Sequence, residues 1–164
     1  MSSKVPSTPL LFFQPFNMVV FLSFYSPIVL CVVMLSLSFV FQNFKGFIFL
    51  GILLAVSIAR NWFYALNGSP IMTPDGTICT SIQYSKYGNS TFSAFVFAFT
   101  IMYILFPMFV NGDFNFYVLA GLLTYFFVDI LIKINRKCTI EMNELFLNAL
   151  VGITSAAAFV WLMY

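Results

Sequence analysis

Long apolar runs separated by short polar breaks limit what this chain can fold into more than any other feature of it. A bilayer-crossing helix takes about 20 predominantly apolar residues. Runs of that kind cover residues 17–41, 46–66, 90–110, 114–132 and 145–164, which predicts an all-α integral membrane bundle of about five transmembrane helices. A water-soluble fold could not cover these runs, because only 7% of the residues are charged, against roughly a quarter in ordinary soluble domains. Residues 17–164 form a single bundle in this reading. Residues 1–16, with Pro6, Pro9, Pro15 and the single charge Lys4, lack the order of a cleaved signal peptide and are expected to lie along the interface as a retained arm.

The breaks have distinct characters. Gln42–Lys45 has room for a tight turn, and Asn111-Gly112-Asp113 favours a second one. Two longer polar loops are expected at 67–89 and 133–144, the first with an alternating patch at Thr77–Tyr84 that suits a short strand or hairpin. Pro27 should kink the first span, its freed carbonyl being satisfied by neighbours or by Ser23. Gly152 followed by Ser155, Ala156, Ala157 and Ala158 gives the last span a small-residue face for close helix packing, inside the bundle or in self-association.

Phe outnumbers Trp by 23 to 2, so the aromatic bulk belongs against lipid or neighbouring helices rather than at headgroups. The chain has no His, which removes the commonest general base and metal ligand; no catalytic residue, metal or cofactor is expected. Cys31, Cys79 and Cys138 show no metal or redox spacing. Cys31 falls mid-membrane, while Cys79 and Cys138 fall in loops on one side, where a disulfide between them is conceivable. The sequons at Asn67 and Asn89 read as chance matches.

Five spans divide the basic residues unevenly: Lys4, Arg60, Lys86, Lys133, Arg136 and Lys137 on one side, Lys45 on the other. The positive-inside rule then puts the amino terminus and both long loops on the cytoplasmic side. Two charges fall within spans, Arg60 and Asp129, near the same membrane face. Unpaired, each would be costly. Arg60 is expected to pair with Asp129, or Asp129 with Lys133 one helical turn on, and the alternative use of Arg60 is to hold an anionic substrate or phosphate. Arg60, Lys133, Arg136 and Lys137 are the candidate contacts for an anion or a lipid headgroup. Nothing in the chain suggests a nucleic-acid surface.

An arginine ending one span, the run Tyr87-Gly88-Asn89-Ser90-Thr91-Phe92-Ser93-Ala94-Phe95 opening the next, then Asn135-Arg136 and Asn148-Ala149-Leu150-Val151-Gly152 around the last, all lie on one side. This order resembles the type 2 phosphatidic-acid phosphatase family, whose equivalent segments build one phosphate site. The resemblance implies a phosphate-holding role for Arg60 and Arg136. It also sets Ser90 where that family's first His stands, Glu144 at its nucleophilic His and Asn148 at its supporting Asp, while Asn61 replaces the proline after the arginine. The resemblance therefore concerns architecture and not activity, since an imidazole nucleophile is missing.

Phe13-Gln14-Pro15-Phe16-Asn17, Phe21–Pro27 and Phe39–Gly46, with the Phe, Ile, Asn and Lys bias, resemble the small multi-span membrane proteins of nucleocytoplasmic large DNA viruses. That resemblance implies a structural protein of a virion's internal membrane, in contact with lipids, capsid proteins or sister subunits. The expectation is thus a non-catalytic structural protein, with a divergent lipid-phosphate phosphatase-like or lipid-binding protein as the alternative and a small transporter as a further one.

Overall fold

A computed structural model describes residues 15–68, 83–136, 138 and 142–163. Among these residues the secondary structure is helical throughout: α1 (Pro15–Phe24), α2 (Ser26–Val40), α3 (Lys45–Leu66), α4 (Asn89–Asn111), α5 (Phe116–Asn135) and α6 (Met142–Met163). Helices α3, α4, α5 and α6 are each long and apolar enough to cross a membrane, and α1 with α2 adds a fifth crossing if the bent pair is taken as one span. The protein is accordingly an all-α, multi-pass bundle.

The first predicted span, 17–41, is not one kinked helix. It breaks at Tyr25 into two helices 80° apart. Pro27 sits in the first turn of α2, where a missing N–H costs least, and so marks the start of a new helix instead of bending an old one. The other boundaries fall within a few residues of expectation, except that α5 runs on to Asn135 and α6 begins at Met142, which makes Lys133 and Glu144 helical and shortens the predicted 133–144 loop. The 1–14 part of the arm, the 69–82 part of the long loop (with most of the Thr77–Tyr84 patch) and Lys137 lie outside the described residues.

Helix α4 is the axis of the bundle. Ser93, Ala94, Phe95, Val96, Phe97, Ala98, Phe99 and Thr100 are all buried in succession, so α4 is covered on every side by the other helices. Two contacts depend on glycine. A Cβ on Gly152 would lie 2.5 Å from the Phe95 carbonyl and 3.2 Å from Ala98 Cβ, so α6 lies directly against α4 along the small-residue face Gly152–Ala156. A Cβ on Gly46 would lie 2.5 Å from the Met34 carbonyl, which fixes α3 on α2. Between the pairs, Phe49, Phe95, Phe99 and Tyr103 form a buried aromatic core. The predicted turn after α4 forms with Gly112 at φ 76°, a left-handed conformation that Gly adopts without strain. Asn115 then caps α5, its side-chain oxygen accepting from the Tyr117 and Val118 N–H groups.

Candidate functional site

Most of the buried polar residues gather in two clusters at one end of the bundle, on opposite sides of α4, with Ser38, Ser57 and Thr100 outside them. In the first, Asp129 of α5 sits 1% exposed among four donors. Its Oδ1 accepts from Ser23 (2.9 Å) and Ser26 (3.1 Å), the hydroxyls that flank the α1–α2 break. Its Oδ2 accepts from Ser93 of α4 (2.8 Å) and from Lys133 Nζ (2.7 Å), and Lys133 also donates to Ser93 at 2.7 Å. One carboxylate therefore ties α1, α2, α4 and α5 together.

The break itself is satisfied from the side. Splitting a helix frees carbonyls that would otherwise accept bonds from the next turn. The Leu22 carbonyl accepts from the Tyr125 hydroxyl at 2.8 Å, and that of Phe24 from the Tyr84 hydroxyl at 3.2 Å. Burial, then the proximity of Tyr25 and Cys31, pushes the Tyr84 phenol up to about 12, so it remains a donor at physiological pH.

The second cluster surrounds Arg60 of α3, 6% exposed. Its Nε donates to Asn148 Oδ1 of α6 (2.5 Å), one terminal nitrogen to Asn61 (3.2 Å) and Ser85 (3.3 Å), and the other to Thr91 of α4 (3.2 Å). Tyr64 lies beneath the guanidinium at 4.8 Å, in cation–π range, and its hydroxyl accepts from Asn148 Nδ2 at 2.9 Å. These hydrogen-bond partners are neutral, while the carboxylate of Glu144 on α6 acts on Arg60 through its charge. An open groove of about 540 Å³ lined by Asn61, Trp62, Ser85, Lys86 and Tyr87 adjoins the cluster.

The expected Arg60–Asp129 pair is replaced by the alternative: Asp129 pairs with Lys133 in the (i, i+4) geometry of one helix, and Arg60 lies in the other cluster. Thr91 and Ser93, two positions apart on α4 and so on opposing faces, keep the two charges separate. Lys133, expected at a headgroup, is buried, with its ammonium committed to Asp129 and Ser93. Arg136 is exposed at the C-cap of α5, outside both clusters. Of the phosphatase-like constellation, the structure joins Arg60, the start of α4 through Thr91, and Asn148. Ser23, expected to satisfy a carbonyl freed at Pro27, donates to Asp129 instead, and the roles of Ser26 at the break and of Ser85 at Arg60 were not anticipated from sequence. The usable signal was two serines three residues apart, the second directly before Pro27, within a 25-residue apolar run.

Cys138 is buried and disulfide-bonded and Cys31 is a free thiol; Cys79 lies outside the described residues. Among the described residues no group of His, Cys, Asp or Glu could hold a metal ion. Compared with known proteins, the chain matches no family model, no curated protein and no solved structure.

Proposed function

We propose that this chain is a non-catalytic structural membrane protein that anchors and organises a bilayer, in the internal membrane of a virion, where it contacts capsid proteins or sister subunits and faces the cytoplasm with its amino terminus. The supporting observation is the Asp129 cluster. It consumes the intramembrane charges of α5 in joining α5 to the serines that flank the 80° bend between α1 and α2, so those charges serve shape. Helix α1 presents Met18, Val19, Phe21 and Leu22 outward and carries no charge, which suits an apolar element laid into one leaflet. Mass spectrometry of the native, membrane-extracted protein tests the assignment. Shell proteins of the particle recovered in fixed ratio are expected, and recovery of the chain without protein partners would overturn it.

A second reading has its own observation: Arg60, Thr91, Ser85 and Asn148 meet beside an open groove, and the guanidinium's described bonds are all to neutral groups. A lipid phosphate entering from the groove would give the guanidinium a directly bonded anion, which the more distant Glu144 carboxylate does not. Asn148→Asp places a carboxylate against Arg60 Nε and should abolish retention of phosphatidic acid while preserving the fold. Retention unchanged by this substitution would remove the reading.

A further inference from the structure

At the end of the bundle away from the two clusters, a groove is lined by both glycine-packed pairs. Gly46 holds α3 on α2, Gly152 holds α6 on α4, and the groove has a volume of about 630 Å³, within the usual size of a small-molecule site. The Tyr103 hydroxyl donates to the Lys45 carbonyl at 2.8 Å and links the pairs alongside it. Met34, Leu37, Ile104, Met108 and Val160 wall the groove, while Asn43, Lys45 and Asp113 stand at its end.

Lys45 and Asp113 are both exposed, and they do not pair with each other: Lys133–Asp129 is the sole ion pair among the described residues. One apolar furrow therefore ends in a cation and an anion set apart. We infer that this groove is a binding site for a single zwitterionic glycerophospholipid, with an acyl chain along the Met34–Met108 walls, the phosphate at Lys45 and the headgroup ammonium at Asp113. Charge complementarity selects this occupant. An anionic lipid satisfies Lys45 and is repelled by Asp113, and an uncharged sterol uses neither. The site is independent of the Arg60 cluster, which lies at the opposite end of the helices.

The test is native mass spectrometry of the full chain in mild detergent, supplied with equal amounts of phosphatidylethanolamine, phosphatidylcholine and phosphatidylglycerol. One zwitterionic lipid should be retained in preference to phosphatidylglycerol. Lys45→Glu should weaken that retention about three- to fivefold, the range of a partly exposed charge contact. Met108→Trp, which fills the groove and leaves both charges in place, should abolish it, with helicity by circular dichroism confirming that both variants fold. Equal retention of phosphatidylglycerol, no retained lipid, or retention indifferent to both substitutions in folded protein overturns the proposal.

Discussion

Lys133 Nζ lies 2.7 Å from Asp129 Oδ2, one turn along α5, and both side chains are almost entirely removed from solvent. Neither charge is tolerable there without the other. Asp129→Asn should therefore destabilise the bundle by about 3–5 kcal/mol, the cost of stranding a buried charge. Asp129→Asn combined with Lys133→Met should cost clearly less than the two single changes added together. Thermal unfolding in detergent, run as a double-mutant cycle, reads this directly.

Gly152 and Gly121 make a matched pair of probes. A methyl group on Gly152 meets the Phe95 carbonyl, whereas one on Gly121 meets nothing within 4 Å. Gly152→Ala is expected to cost about 1–3 kcal/mol by forcing α6 off α4. Gly121→Ala should be neutral or stabilising by a few tenths of a kcal/mol, since alanine is the better helix former. Equal melting temperatures for the two variants would contradict the described α4–α6 contact.

Tyr125→Phe and Tyr84→Phe each remove the hydroxyl that satisfies a carbonyl at the helix break. Each should cost about 0.5–1.5 kcal/mol. The loss should be local, seen as faster amide exchange in α1 and the first turn of α2 with little change in α6.

Membrane orientation rests on fewer charges than the basic-residue count implies. Arg60 and Lys133 are committed inside the bundle, which leaves Lys86 and Arg136 exposed at one end and Lys45 at the other among the described residues. Cysteines introduced at Lys86 and Arg136 should react together with an impermeant thiol reagent, and one at Lys45 only from the opposite side. A shared accessibility of positions 45 and 86 would contradict the five-crossing path.

Periodicity and length made most of the fold legible. The starts of α3, α4 and α5 fall within two residues of the predicted spans, because apolar runs of that length have one stable solution in a bilayer and the turn chemistry at Gly112 is local. The break at Tyr25 was not legible in the same way. It depends on tertiary partners, namely a carboxylate about 100 positions away and two tyrosine hydroxyls, none of which alters the hydropathy of the run. The site was half legible: Asp129–Lys133 follows from helix spacing, whereas the gathering of Asn61, Ser85, Thr91 and Asn148 around Arg60 requires knowing how α3, α4 and α6 face one another.

The elbow between α1 and α2 also sets a length. The 15 residues of α2 rise only about 22 Å, against a hydrocarbon core of about 30 Å. Along that side of the bundle the apolar belt is shorter than the lipid it meets, and the bilayer must draw in to match it or leave polar turns in hydrocarbon. The chain should thus partition toward thin membranes and away from thick, sterol-rich ones. It should also melt at a higher temperature in short-chain than in long-chain phosphatidylcholine.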